Sequence, residues 1–190
     1  MSTRGLFGLR KDGKEKAVYN HFDSYPEGLG KNYLTFVKLN QEQLPIFYDK
    51  VKCIDKSKEA TPEEIAYCKE MGWDNPYISS RPEKDWDSLL YYSSKLTEWQ
   101  KCLDLGKNLF IENQIDFIKD SLFCEYAYIY DIDTRHFQVY FGFQKEPDII
   151  SRYGTEPLHG YFPCKLVASI PVNQELNITK SIQSLSCMKK

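Results

Sequence analysis

Alternation of apolar and polar residues over two pairs of short segments predicts two β-hairpins. The first pair, residues 5–10 and 16–20, flanks the dipeptide Asp12-Gly13, which is typical of a tight hairpin turn. In the second pair, residues 125–132 carry a tyrosine at every second position and residues 136–143 alternate phenylalanine or valine with polar residues. A further strand is predicted over residues 165–170, where Pro171 ends it.

Apolar residues spaced by three and four positions predict helices elsewhere in the chain. After a loop over residues 20–30, which is dense in turn formers, a helix is expected to begin near Lys31, and a second one is expected over residues 45–53. Thr61-Pro62-Glu63-Glu64 has the pattern of a capping box and predicts a helix that ends at Gly72.

Further along the chain, residues 72–84 carry two prolines among polar side chains and predict an exposed loop. An apolar stripe over residues 86–103, followed by Gly106, predicts the longest helix of the chain. From residue 173 onwards the chain is a polar tail with only a weak helical pattern.

The order of these elements predicts an α+β fold, a mostly antiparallel sheet built from two β-hairpins with several helices packed on one face. The predicted elements do not alternate between strand and helix, so the sequence does not predict a parallel sheet. With 190 residues and 42% hydrophobic content, the chain has the size and composition of one domain over residues 1–190.

Charge and hydropathy limit the partners that we expect. The 25 Lys and Arg residues nearly balance 27 Asp and Glu residues, so no long-range field draws the chain to nucleic acid or to anionic lipid. The longest apolar runs are far too short to cross a bilayer, and the N-terminus lacks a signal-peptide pattern. We therefore expect no nucleic-acid partner, no membrane association and a cytoplasmic location.

The cysteines and the aromatic residues add two expectations. The six cysteines, none within four positions of another, lack the ligand spacing of structural zinc; they are Cys53, Cys68, Cys102, Cys124, Cys164 and Cys187. We expect reduced thiols, no bound metal and no cofactor. The aromatic content of 15% is explained either by an aromatic-packed core or by a half-exposed surface that binds a ligand or a partner.

The first candidate site joins Arg4 to the loop over residues 20–30. A hairpin paired through Asp12-Gly13 places Arg4 beside His21, and the two loop glycines permit close backbone approach just before a helix N-terminus, which favours an anion. Asp23 could orient His21. The site predicted to bind a small anionic ligand comprises Arg4, Asn20, His21, Asp23, Tyr25, Gly28 and Gly30.

Each candidate has an alternative. In the Arg4 loop, the polar residues could simply cap turns while Arg4 pairs with Asp23 or Glu27. Removal of Met1 would leave Ser2 with a free amine beside its hydroxyl, the pairing used by N-terminal-nucleophile hydrolases. The segment 131–136 contains metal-ligand residue types, but its place at a hairpin tip favours turn chemistry, and nothing ties His159 to His21 or His136.

The N-terminal segment resembles small uncharacterised proteins of tailed phages and prophages. Those proteins open with a Thr-Arg-Gly strand, a short hairpin and a Tyr-Asn-His-(aromatic)-Asp-Ser-Tyr-Pro loop, and the matching residues here are Thr3, Arg4, Gly5, Tyr19, Asn20, His21, Phe22, Asp23, Ser24, Tyr25, Pro26, Leu29 and Gly30. SLFCEYAYIYDID, residues 121–133, is a second shared block. The resemblance implies an accessory protein that acts in the cytoplasm of an infected or lysogenic bacterium.

Together these features favour a binding protein, which either sequesters a small nucleotide-like anion or inhibits a host protein. The competing hypothesis is a hydrolase, either of the N-terminal-nucleophile kind acting on an amide or one that cleaves a phosphodiester with Arg4, His21 and Asp23. A minor structural phage protein is a third hypothesis. The sequence does not predict an oligomeric state.

Overall fold

The opening hairpin forms as predicted in the computed structural model, which describes residues 3–77 and 84–173. Strand β1 (Gly5–Lys11) runs antiparallel to β2 (Lys14–Asn20), with Gly5 paired to Asn20. Both turn residues, Asp12 and Gly13, have positive φ, at 50° and 74°. A two-residue turn of this kind matches the right-handed twist of the strands, so the local sequence determines the register.

The second predicted hairpin is also confirmed, and it extends the same sheet. Strands β5 (Tyr126–Asp131) and β6 (His136–Phe141) are antiparallel, and β7 (Lys165–Pro171) pairs antiparallel with β6. The strand order is β2-β1-β5-β6-β7, so the fold is α+β with a mostly antiparallel sheet.

The two hairpins are joined by a parallel pair, β1 with β5, which the sequence pattern did not indicate. Glycine makes this approach possible. A Cβ atom added at Gly5 would lie 2.2 Å from the Tyr126 carbonyl oxygen of β5. Gly8 instead serves the pairing with β2, since a Cβ atom there would lie 2.3 Å from the Lys16 carbonyl oxygen. The two strands are separated by most of the chain, so no local strand–helix–strand pattern marks their pairing.

Helices α1 (Lys31–Asn40) and α2 (Leu44–Lys50) follow the opening hairpin, α1 being preceded by a π-helical turn over Pro26–Gly30. The predicted start of α1 near Lys31 is confirmed. Tyr33 fixes α1 on the sheet, because its buried ring lies 5.1 Å from that of Phe7 and its hydroxyl donates to the Gly8 carbonyl at 2.6 Å.

The opposite sheet face carries a separate core cluster. A 3₁₀ helix over Ile115–Lys119 contributes Ile118, and a later loop contributes Tyr153; both pack with Leu6, Ala127 and Ile129. The α-helix therefore covers one face of the sheet, and shorter structure covers the other.

Contact patterns separate the chain into two compact units, Met1–Tyr48 with Gln114–Lys190, and Asp49–Asn113. The elements described above form the first unit. The second contains α3 (Pro62–Met71), α4 (Trp86–Leu89), α5 (Leu96–Asp104) and a parallel pair, β3 (Val51–Cys53) with β4 (Leu109–Ile111). Whether the chain is one domain stays a prediction.

Aromatic side chains fill the cores of both units. The largest fully buried side chains include Trp73, Trp99, Tyr33, Tyr128, Tyr130, Phe7 and Phe137. The aromatic-packed core therefore accounts for much of the aromatic content, while several other rings stay exposed. The capping box at Thr61 is confirmed, with both reciprocal hydrogen bonds to Glu64 present.

Three predictions in the middle of the chain are wrong. The stripe over residues 86–103 is not one helix but two, because the backbone between them pairs elsewhere: Tyr92 N donates to the Trp73 carbonyl at 3.0 Å. Helix α2 ends at Lys50 and β3 begins at Val51, whereas the prediction extended the helix to residue 53. Trp73, in the loop expected to be exposed, is fully buried. Residues 78–83 of that loop and the polar tail from residue 174 lie outside the described residues.

Candidate functional site

Arg4 lies immediately before β1, and its backbone is fixed by Glu125. The Arg4 N–H donates to Glu125 Oε1 at 3.1 Å, and the Glu125 N–H donates to the Arg4 carbonyl at 3.0 Å. The guanidinium lies over the Phe123 ring, with Cζ 4.7 Å from the centroid. Within residues 3–77 and 84–173, no carboxylate pairs with this guanidinium. Its expected alternative partners, Asp23 and Glu27, are therefore not its ion-pair partners.

His21 lies across the hairpin from Arg4, where the Gly5–Asn20 register continues by one position. A hydrogen bond of 2.7 Å joins its Nδ1 to the Tyr19 hydroxyl. The imidazole also makes an edge contact with Phe22, whose side chain is 64% exposed, at 4.3 Å between centroids. Tyr19, not Asp23, is thus the residue seen to orient His21.

Electrostatics connect the two sides of this site. Burial raises the pKa of Tyr19, and the positive charge of Arg4 acts in the opposite direction. Burial outweighs the opposing charge, so the pKa of Tyr19 stays above its ordinary value and the hydroxyl bonded to His21 remains protonated near neutral pH. We name this group of five residues the Arg4 cluster: Arg4, Tyr19, His21, Phe22 and Phe123.

Asn20 and Asp23 shape the loop from within. The Asn20 side-chain amide donates to the Phe22 carbonyl and to Ser24 Oγ, the latter at 2.8 Å. Asp23 has a positive φ of 52°, and its carbonyl accepts the Leu29 N–H at 2.8 Å. These are turn-stabilising contacts of the kind that asparagine and aspartate commonly make.

Gly28 and Gly30 use their N–H groups inside the loop. Both donate to the Tyr25 carbonyl, at 3.0 and 3.4 Å. A Cβ atom at Gly28 would lie 2.3 Å from the Asp23 carbonyl oxygen, and one at Gly30 would lie 2.9 Å from the Tyr128 ring. Backbone packing therefore explains both glycines, and neither N–H points to an empty position. The Tyr25 side chain is exposed.

A second imidazole reaches the same phenyl ring. His159 makes an edge contact with Phe123 at 6.1 Å between centroids, and its Nε2 lies 3.9 Å from Asp120 Oδ2. Asp120 Oδ1 is buried and has no hydrogen-bond partner in the part of the chain that the structure describes. Phe123 thus links His159 to Arg4, which no sequence spacing indicated.

The other candidate groups have structural roles or lie outside the described residues. Asp131 Oδ1 accepts the N–H groups of Asp133 and Thr134, as expected of turn chemistry. Among the described residues, no group of three or more His, Cys, Asp or Glu side chains could hold a metal ion, and no disulfide joins the five described cysteines. Ser2 and Cys187 lie outside the described residues.

The predicted register places Arg4 opposite His21, one position beyond the Gly5–Asn20 pair, but the sequence prediction did not include Tyr19 or Phe123. Tyr19 and His21 are two positions apart, so the same period of two that predicted the strand places them on one face. Phe123 had no such signal, because only the parallel pairing of β1 with β5 brings it under Arg4.

The chain matches no protein-family model, no curated protein and no solved structure. In residues 3–77 and 84–173, no helix has the length and apolar character needed to cross a membrane.

Proposed function

We propose that this chain is a binding protein for a small anionic ligand of the nucleotide class, which it holds at the Arg4 cluster. The observation that carries the proposal is a guanidinium that stacks on Phe123 without a carboxylate partner among the described residues. Arginine donates two parallel hydrogen bonds to phosphate oxygens, and this geometry makes it a preferred phosphate ligand.

Neighbouring groups support a ligand that combines an anion with a planar ring. His21 adds an imidazole donor beside Arg4, and the exposed Phe22 ring offers a flat apolar surface next to it. Aromatic faces bind planar rings of any base by stacking. The resemblance to phage and prophage proteins extends the proposal to an accessory protein in the cytoplasm of an infected bacterium, where capture of a nucleotide is one role and inhibition of a host protein is the alternative.

Isothermal titration with adenosine 5′-monophosphate, adenosine and inorganic phosphate tests the proposal. We expect the monophosphate to bind more tightly than either of its parts. Arg4→Ala removes a charge-assisted hydrogen bond worth about 1.5–3 kcal/mol, so affinity should fall roughly ten- to a hundredfold. His21→Ala should weaken binding as well. Mass spectrometry of whatever copurifies with the native chain would identify the physiological ligand.

Arg135→Asn is the matched control. Arg135 is also a first-unit arginine, but its exposed guanidinium lies 3.4 Å from Glu42, and its positive φ of 56° is tolerated by asparagine. This variant should bind the monophosphate like the parent chain. If Arg4→Ala and His21→Ala lower the melting temperature and leave nucleotide binding intact, the cluster is scaffolding and the proposal fails.

A second candidate function is phosphodiester hydrolysis, favoured by the His159–Asp120 contact beside the same ring. Two imidazoles near an arginine could serve as general base and general acid while water attacks phosphorus and the ester oxygen leaves. Release of p-nitrophenolate from bis(p-nitrophenyl) phosphate, lost in both His21→Ala and His159→Ala, would establish it. Binding of the monophosphate without any turnover of the diester would leave the chain a binding protein.

A further inference from the structure

Four aromatic rings form a continuous line of contacts at the end of the five-stranded sheet where β5 begins and β6 ends, the same end as Arg4. We call this line the aromatic strip; its members are Tyr126, Phe141, Phe143 and Tyr161. Successive ring centroids lie 5.3, 6.2 and 6.5 Å apart. The strip continues from buried Tyr128, whose ring is stacked nearly parallel to that of Tyr126 at 6.5 Å.

The strip is open to solvent instead of closed into the core. Phe143 is 40% exposed, and the other three rings are half-buried. Phe143 also has a φ of +56°, in the left-handed region that bulky residues rarely adopt. Its N–H donates to the Ser121 carbonyl at 2.7 Å, which holds the backbone in this conformation. A glycine would adopt this φ without strain, so the ring is held in solvent against a backbone penalty.

Polar groups complete the surface. Among the described residues, neither the Tyr126 nor the Tyr161 hydroxyl has a hydrogen-bond partner. Lys145 Nζ lies 3.3 Å from the centroid of Tyr161 at one end of the strip. At the other end, burial and the carboxylates of Glu125 and Glu27 raise the pKa of Tyr126. The strip therefore offers aromatic rings tilted against one another, two phenolic donors, a cation at one end and carboxylates at the other.

We propose that the aromatic strip is a docking surface for a proline-rich segment of a partner protein, bound in the polyproline II conformation. Each residue of that conformation advances about 3.1 Å, so two residues span about 6 Å, which matches the spacing of successive rings. Its backbone carbonyls have no internal partners and would accept hydrogen bonds from the two tyrosine hydroxyls.

The charges favour a peptide over a nucleic acid on this surface. A peptide can carry a basic residue opposite the carboxylates near Tyr126 and an acidic residue opposite Lys145, a combination of charges that a phosphate backbone of one sign does not offer. Proline-rich segments also lose little conformational entropy on binding, so a shallow surface is sufficient to hold them. The inference rests on different side chains from the nucleotide proposal, since none of the four rings belongs to the Arg4 cluster, although Glu125 neighbours both surfaces.

Selection from a random dodecapeptide display library on the immobilised full chain, with counter-selection on the Phe143→Gly variant, tests the proposal. We expect enriched peptides to contain prolines at the spacing of a polyproline II repeat. In fluorescence polarisation, the labelled, most enriched peptide should bind the Phe143→Gly variant at least tenfold more weakly than the parent chain. This variant relieves backbone strain, so its melting temperature should stay near that of the parent.

Tyr161→Ala provides a second variant, and it should also lower the affinity for that peptide. Leu39→Ala is the control, because Leu39 is an exposed apolar residue of α1 outside the strip, and its binding should equal that of the parent. Enriched peptides without proline, or peptide affinity unchanged in both strip variants, would overturn the proposal. So would a failure to enrich any peptide while single-stranded DNA or maltohexaose binds the strip.

Discussion

Asp131 is the carboxylate that joins the second hairpin turn of the main sheet to Arg10 of β1. Its side chain is only 3% exposed; Oδ2 pairs with Arg10 at 2.7 Å, and Oδ1 accepts two backbone N–H groups of its own turn. Arg10 Nε also lies 3.9 Å from Glu15 Oε1, but this nitrogen is buried without a hydrogen bond to any described residue. The sequence therefore predicted the role of Asp131 in the turn but not its ion pair with Arg10.

Asp131→Asn should destabilise the chain by about 1.5–3 kcal/mol, the usual worth of a hydrogen bond to a charged group. The asparagine carbonyl still accepts the turn N–H groups, so the variant isolates the loss of charge opposite Arg10. Urea denaturation followed by far-ultraviolet circular dichroism measures the change.

The matched control is Asp116→Asn, which removes a carboxylate that is 82% exposed and paired with Lys119. Solvent screening makes such pairs weak, so its effect should be much smaller. Equal effects of the two substitutions would contradict the role assigned to Asp131.

At the scale of elements, prediction succeeded where a complete structural signal lies within a few residues. The capping box of α3 satisfies the donors of its helix start with neighbouring side chains, and Gly72 ends the helix with a left-handed φ of 73°. The stripe over residues 86–103 gave a wrong prediction because both α4 and α5 turn apolar residues toward a core, while the N–H of Tyr92, between the two helices, donates to the Trp73 carbonyl. Periodicity records which residues are buried and not where the backbone hydrogen bonds go.

Thr61→Ala should cost about 1 kcal/mol, because it removes the side-chain oxygen that accepts the Glu64 N–H. All three tryptophans lie in the unit that contains α3, so tryptophan fluorescence during urea denaturation reports on that unit. The midpoint should move to a lower urea concentration.

Thr97→Ala, at an exposed position in the first turn of α5, is the control within the same unit. It has no capping bond to lose, and alanine has the higher helix propensity, so the midpoint should stay or rise. A similar loss in both variants would show that the capping box does not stabilise α3 in particular.

For the molecule as a whole, buried acidic groups predict a loss of stability at alkaline pH. Burial raises the pKa of Cys68 and of Cys102 from 9.0 to about 12, and that of Tyr67 and Tyr140 from 10.0 to about 12. A raised folded-state pKa means that the unfolded chain loses its proton first. The associated stability is therefore complete below pH 9 and is lost as pH rises toward 12.

The tryptophan-reported urea midpoint should fall steadily from pH 8 to pH 10 in the parent chain. In the double variant Cys68→Ala/Cys102→Ala the midpoint should be lower at pH 7, since two buried side chains are truncated, but it should change less with pH because two titrating groups are gone. Identical pH dependence in the parent and the double variant would rule out these thiols as the cause.

What the sequence determined by itself is the set of elements whose causes are local. Asp12-Gly13 fixes the register of the first hairpin, alternation fixes β5 and β6, and the turn-rich loop before Lys31 fixes the start of α1. The register in turn placed Arg4 across from His21. In each of these cases turn conformation and side-chain period act within about ten residues, so the pattern contains the physical cause.

Only the tertiary structure decided what depends on distant contacts. The parallel pairing of β1 with β5 joins Arg4 to Glu125, which is 121 positions away, and it brings Phe123 under the guanidinium. The aromatic strip likewise joins rings from two strands and a later loop. Such pairings are selected by the burial of whole sheet faces and by the space that Gly5 leaves for the backbone of β5, and no periodicity along the chain encodes that choice.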